Sequence, residues 1–409
     1  SHLGGQTLAS DTFESSTATL ASTYHSESES SDVDQYFVGK GLSYLYIRMQ
    51  YDKDVFADGI PNFTAVVRGK KVQNENGVAQ TYPASSNAAY VIRDYLTSDY
   101  GVGDSADNID SSSFASAAAV CNTNSGSGGT NKLFVNGVLR TNRSRIDNLE
   151  EITAAMGGAL FWGSGKWKVK APVFSTSVKT LSLSDLRSGI EIDTRHSARD
   201  NFNAVQGIFN DKDQDWVEAD YPEVTSSVYQ TEDGGQKSIL DFNLDLVTNS
   251  VQAQRLAKMT LNRHREQIGF QANFGLAAFD LEVGDVVKFN DYNEETNDYR
   301  YGFFSATPAD QKTFEVIGWK FSNSSDGDLV VSLQLQEISS SVFSWDADEQ
   351  TIVSNNTTLG RTVTNLDPSS VIIADTGYTA TDGTFVPQLD VSWTAATNNL
   401  VQYYEVQWR

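Results

Sequence analysis

Residues 136–170, NGVLRTNRSRIDNLEEITAAMGGALFWGSGKWKVK, carry the reading of the fold. Within them, 144–156 predict a helix, because Ile146, Leu149, Ile152 and Met156 recur at helical spacing. Asp147, Glu150 and Glu151 lie near its positive end, and Gly157-Gly158 stops it. Residues 159–162 and 166–170 then read as two strands around the turn Gly163-Ser164-Gly165, with Trp167 and Val169 alternating with lysines. Just upstream, 132–135 and 137–139 read as a shorter hairpin turning near Asn136-Gly137. Helix and hairpin side by side make this an α+β unit.

Working toward the N-terminus, 85–96 predict a helix with Ala88, Ala89, Ile92, Tyr95 and Leu96 on one face. Ser86 or Asn87 serves as its N-cap, and Gly101 and Gly103 end it. A second helix is expected over 111–121, burying Phe114, Ala117, Ala118 and Cys121, and 124–131 (NSGSGGTN) is a loop. Residues 41–50 and 63–71 read as strands separated at Ile60-Pro61, and 25–34 (HSESESSDVD) as a solvated loop. Beyond about 180 the chain is mostly strands: 204–209, 238–246, 268–274, 285–289, 314–321 and 329–338. One helix, 250–264, interrupts them. It is expected to turn Val251, Leu256, Ala257 and Leu261 inward and to expose Arg255, Lys258, Arg263 and Arg265. Residues 346–368 are polar and read as a linker, followed by strand-like 371–375, 385–393 and 402–409. The first residue is not Met and the last lies in a strand-like run, so the sequence reads as a piece of a longer polypeptide.

The composition narrows the function. There are 53 Asp and Glu against 30 Lys and Arg, a formal net charge of −23. Sequence-reading DNA binding needs a basic face for counterion release, and the nearest approaches, 69–71 and 140–145, are short. DNA sliding past without sticking is compatible with that charge. No apolar run reaches the ~18 residues that a membrane span needs. The single cysteine, Cys121, sits in an apolar run and reads as a buried thiol. The four histidines, His2, His25, His196 and His264, show no zinc-helix spacing. Neither a Gly-x-Ser-x-Gly elbow nor a phosphate loop occurs. Asp211, Asp213 and Asp215 resemble the start of a calcium loop, but Trp216 and Pro222 stand where that loop needs Gly and Glu, so a solvated turn is expected. Acids are plentiful, yet nothing selects two as a glycosidase pair. Tyr90, Tyr95, Phe161, Trp162, Trp167 and Trp319 are expected to pack cores. No catalytic, cofactor-binding or metal-ligating residue is assigned.

Several blocks in colinear order resemble the central tail hub, or tip attachment (host specificity, J-like), proteins of phages with long non-contractile tails. They are 60–72 (IPNFTAVVRGKKV), 87–103, 136–170, 181–205, 233–235 with 253–265 (AQRLAKMTLNRHR), and 281–287 (LEVGDVV). They span about 40–340, while the first forty residues and 290–312 match poorly. Residues 389–394 (LDVSWT) and 403–409 (YYEVQWR) resemble the second and third strands of a fibronectin type III domain, with Trp393 as the core tryptophan and Tyr404 near the usual aromatic position. Such a sandwich needs roughly 100 residues and would be completed beyond Arg409.

The resemblance implies a β-rich α+β multidomain chain: small β-barrel or sandwich hub domains with a helical insertion, then the start of a fibronectin type III sandwich. Its divisions would be 1–61, the end of an upstream β-rich hub domain; 62–180, an α+β hub module; 181–345, a β-rich hub domain with one covering helix; 346–368, a linker; and 369–409, the beginning of the fibronectin domain. It further implies a structural, non-enzymatic homotrimer at the virion tail tip, closing the tail tube and opening for DNA ejection. Implied partners are a distal tail protein, other tail-tip proteins and the tape measure protein, with a host receptor reached through regions beyond this sequence and DNA only as passing cargo. No cofactor is implied. The rival readings are a secreted carbohydrate-active enzyme or a surface adhesin with an accessory fibronectin domain.

Overall fold

Asn87 opens the first described helix, α1 (Ala88–Thr97), by accepting the Ala89 N–H at 3.0 Å. Its side-chain amide also donates to the carbonyl of Ala118 at 3.0 Å, tying α1 to α2 (Ser111–Asn122). Asp110 caps α2 through the Ser113 N–H at 2.9 Å, and Ser144 caps α3 (Arg145–Met156). Gly157 ends α3 at φ 73°, a left-handed value that glycine adopts without strain. A Cβ there would also lie 2.5 Å from Leu256 Cδ2. The antiparallel hairpin β1 (Ala159–Gly163) and β2 (Lys166–Lys170) follows, turning through Ser164 and Gly165, both at positive φ.

The computed structural model describes residues 66–123, 133–195, 197, 200–323, 327–346, 349, 351, 369–395 and 404. The chain divides into Ser1–Val67 and Arg68–Arg409, and the account below concerns the second unit. The expectations for 1–61, the strand over 41–50, the loop over 124–131, His2, His25, His196, most of 346–368 and the strand over 402–409 lie outside the described residues.

The three helices bury Ala88, Ile92 and Leu96, then Phe114 and Cys121, then Ile152 and Met156, in one core. Two details differ from the expected faces. Ile146 is 65% exposed, and Asn148 is buried in its place, donating to Tyr95 Oη and to the Arg140 carbonyl, each at 3.0 Å. A buried amide with both donor contacts made is tolerated where a bare one would not be. Trp162 is 51% exposed; it lies directly across from Trp167 on the hairpin, the rings edge to face at 5.3 Å.

After β2 come β3 (Lys179–Ser182), β4 (Glu191–Asp193), β5 (Ala204–Gln206), β6 (Ile208–Asp211), β7 (Val217–Asp220), β8 (Val224–Thr225), the short α4 (Ser227–Glu232), β9 (Ile239–Asp241) and the long α5 (Ser250–Arg265). A three-stranded sheet runs β8-β5-β9, and β6 pairs with β7. Ala253, Leu256, Ala257 and Leu261 of α5 enter the same core as α1–α3, so that core draws on residues from 88 to 261. Gln252 seals the junction by donating to the carbonyls of Phe134 and Ala155, both at 2.9 Å. Arg255, expected on the exposed face, is 5% exposed. Arg255 comes near the Cys121 thiol of α2, and Arg265, expected on the same face, is 8% exposed at its side chain, so α5 is covered on more than one side. Gln254 exchanges two hydrogen bonds with the backbone of Thr351, and Lys258 pairs with Glu349.

The second core belongs to a six-stranded sheet that curls into a half-barrel. With β10 (Gly269–Phe274), β11 (Val286–Asn290), the small hairpin β12 (Tyr292–Asn293) and β13 (Asp298–Tyr299), β14 (Thr313–Asn323) and β15 (Leu329–Ile338), its order is β3-β11-β14-β15-β10-β4. Within this sheet β3 and β11 pair in parallel and the other neighbours antiparallel. Phe270 sits at the centre, its ring 4.9 Å from Phe314 and 5.5 Å from Phe303. The loop carrying Phe303 is held by the fully buried Asp291, which accepts the N–H groups of Tyr301, Phe303 and Phe304. These contacts fall within 290–312, where the resemblance is poor.

Further on, β16 (Ser369–Asp375) pairs antiparallel with β19 (Leu389–Thr394), and β17 (Tyr378–Thr379) with β18 (Phe385–Val386). The Trp393 and Tyr404 rings meet edge to face at 5.6 Å. Among the described residues the fold is β-rich with few helices, and no helix is long and apolar enough to cross a membrane.

Candidate functional site

A concave feature lies where α5 ends and hands the chain to β10. It is a cleft of about 910 Å³ reached by Tyr229, Glu232, Asn262, Glu266 and Gln267, among others. One wall is a knot of paired charges. Arg265, 8% exposed at its side chain, donates to both carboxylate oxygens of Asp233 and, at 2.8 Å, to the Phe202 carbonyl. Its guanidinium lies 4.7 Å from the centre of the Tyr229 ring. Asp233 also accepts from Asn201 at 2.7 Å and Asn203 at 2.8 Å. The Arg265 contact, with the two amides behind it, holds the Asp233 carboxyl down at about 2. His264, the neighbour of Arg265, stacks on Phe202 at 4.0 Å and contacts Asn201.

The lining also includes Glu266, half-buried, whose carboxylate accepts the Ser339 hydroxyl. Burial pushes its pKa up. Glu337 lies nearby, paired with Lys312.

Elsewhere the β1–β2 hairpin meets the six-stranded sheet through charge. Lys168 and Ser164 both reach Glu282, whose carboxyl the Lys168 contact pulls down. Lys170 reaches Glu315 at 3.0 Å and the Gly284 carbonyl, and Arg263 of α5 reaches the other Glu315 oxygen at 3.1 Å. Gly284 sits at φ 90° against Lys170 and Phe161, which is why the turn leading into β11 requires glycine.

The residues weighed in the sequence fall elsewhere. Cys121 is buried and its thiol is pushed up to about 12 by burial, as an unreactive core residue should be. Asp211 caps a short turn through the Asp213 N–H at 2.9 Å, and Asp213 pairs with Lys212, which is the solvated turn expected there. Among the described residues no group of three or more His, Cys, Asp or Glu is placed to hold a metal ion. The knot joins the two stretches that carry one block of the resemblance, 233–235 and 253–265. Glu266 carried no sequence signal, since a lone acid after a helix is ordinarily surface. The site offers charge and hydrogen bonds.

Comparison with known proteins adds independent findings. The profile of a family described as "Putative phage tail protein" matches residues 144–301. Baseplate hub protein pb3 of Escherichia phage T5 is 24% identical over 381 residues, 85% of this chain and 37% of that protein, so the chain spans a little over a third of the length of this relative. Two solved structures align at low similarity. One, described as the virion of a native gene transfer agent particle, aligns at TM-score 0.38 and 14% identity, over 52% of this chain and 43% of that one. The other, a tail protein from Neisseria meningitidis MC58, aligns at 0.36 and 15%, over 53% and 62%. The family and the curated relative support a structural component of a phage tail.

Proposed function

We propose that the chain is a subunit of the central hub at the tip of a long phage tail. Three copies surround the end of the tail tube, close it, anchor the other tip proteins and part to let DNA through. The carrying observation is the colinear likeness to a baseplate hub protein over 85% of this chain. The charge supports the same reading: at −23, a surface lining a passage repels a phosphate backbone and lets it slide. In this account 62–180 and 181–345 are hub modules that share the helical core, and 346–368 leads to a fibronectin type III sandwich beginning at 369. The pairing of β16 with β19 and the Trp393–Tyr404 ring contact support that last assignment. Distal tail protein, other tip proteins and tape measure protein are the proposed neighbours.

The test is electron microscopy of intact particles decorated with a labelled antibody against this chain. Label confined to the tail end opposite the capsid is expected. Label on the capsid overturns the reading. Release of new reducing ends from host envelope polysaccharide by the purified chain would favour the enzyme reading instead.

A further inference from the structure

The core of the six-stranded sheet runs out into solvent at one end. Phe274, the last residue of β10, stands opposite Val331 of β15, which stands opposite Phe321 of β14. Beyond that row the chain turns through Gly275 and Leu276–Ala278 and lays Phe279 against β14. The Phe279 ring centre is 5.3 Å from that of Phe321 and 6.1 Å from that of Trp319. Alternation puts Trp319, Phe321 and Leu329 on the face that carries the buried Val331 and Leu333. Leu276, Phe279, Phe321 and Leu329 nevertheless remain 41–57% exposed. A contiguous apolar patch of this kind marks an interaction surface.

We propose that this patch is the surface through which one copy of the chain seats on another. The argument for a second copy is charge. Copies that each carry −23 repel, so a contact between them needs surface without acids. The stretches that build the patch, 267–279, 316–323 and 329–336, hold no Asp or Glu, in a chain with 53 of them. At the rim Asp280 is paired with Lys179 at 2.7 Å, and Asp328 precedes Leu329. Size agrees. At roughly 200 Å² for a large side chain, the four half-exposed residues offer about 400 Å². The apolar part of a standard interface is about 450 Å² per partner. Other occupants fit less well. The rings make no flat platform for a sugar, because Phe279 stands at 73° to Phe321 and 61° to Trp319. Anionic membrane surfaces and nucleic acid are repelled by the net charge. The proposal deepens the three-copy reading and rests on it only for the number of copies. A patch meeting its own twin gives a dimer, and one meeting a different surface gives a ring.

The test is sedimentation equilibrium of the full chain across the micromolar range. Self-association is expected. It should tighten as salt is added, because salt screens the repulsion between copies and leaves the apolar contact in place. Phe279→Ser combined with Phe321→Ser should weaken it by about tenfold or more, with the circular dichroism of the unchanged chain. Leu276→Asp, at the most exposed of the four positions, should weaken it by about tenfold without touching the buried core. Val371→Ser, on the exposed strand β16, should change nothing. A chain that stays monomeric overturns the proposal, as does association that both patch variants leave intact or that salt weakens. Those results leave the place of the chain in the particle to the antibody label. A dimer supports the contact and contradicts the ring of three. Maltotriose binding that the double variant abolishes, in place of self-association, would assign the rings to sugar and equally overturn the proposal.

Discussion

Lys170, at the end of the β1–β2 hairpin, places its Nζ 3.0 Å from a carboxylate oxygen of Glu315 on β14, and so fastens the helical core to the curled sheet. Glu315 is 9% exposed and holds Arg263 with its other oxygen. Removing the acid leaves the largely buried Lys170 without its partner, while Arg263, 44% exposed, is still met by water. Glu315→Ala should therefore lower stability by about 3 kcal/mol in urea unfolding. Lys170→Met, which keeps the stem and removes the charge, should cost less because Arg263 still answers Glu315. Equal losses in the two variants would mean that the Lys170–Glu315 pair alone joins the parts and that Arg263 contributes nothing.

The Asp233–Arg265 knot predicts a pH dependence. The Asp233 carboxyl is held at about 2, below its ordinary value of 3.8, so the folded chain binds this proton less readily than the unfolded one. Its contribution is fully present above about pH 4 and is lost as pH falls toward 2. Asp233→Asn should reduce stability at neutral pH by about 1–3 kcal/mol and flatten the acid limb between pH 4 and 2. Glu266 has the opposite sign. Burial raises its pKa, so the folded chain holds that proton more tightly and the charged form weakens the fold at neutral pH. Glu266→Gln should leave stability at pH 7 unchanged or raised. Thermal unfolding of both variants across the acid range checks the two signs together.

Much of the fold is legible from local pattern. Asn87, Ser144 and Gly157 carry the end signals of their helices in their side-chain chemistry or its absence, and alternation places the strands at 285–289, 314–321 and 329–338 within a residue or two of β11, β14 and β15. The site is harder to see, because its parts lie far apart along the chain. Arg265 meets Asp233 across 32 residues, and Lys170 meets Glu315 across 145. Such pairs leave no period in the sequence. Arg255 escapes the pattern for a related reason. Helical spacing finds the apolar face of α5, but it cannot show that Cys121 of α2, far earlier in the chain, comes near Arg255 on another side.

Gly157 and Gly165 separate two costs of glycine replacement. Both have positive φ, but only Gly157 has neighbours in the way: a Cβ added there would meet Leu256 Cδ2 at 2.5 Å and Met259 Cε at 2.7 Å. Gly165→Ala should cost about 1 kcal/mol from backbone conformation alone. Gly157→Ala adds about 1–3 kcal/mol for overpacking. A difference between their melting temperatures checks this, with Gly157→Ala the lower.

Cys121 should resist thiol reagents in the native protein, because its thiol is held near 12 by burial and the reactive thiolate is scarce. Ellman's reagent should react within the dead time after urea unfolding and only slowly before it. Fast native labelling would contradict the packing of α2 against α1.

The central claim is that this chain sits at the tail tip as three copies around a passage. A three-dimensional reconstruction of the tail tip from purified particles tests it most directly. The account predicts density fitting the six-stranded sheet and its helical neighbour three times about the tail axis, with acidic surface toward the lumen. Density for this chain in the capsid, or a single copy off the axis, would contradict it.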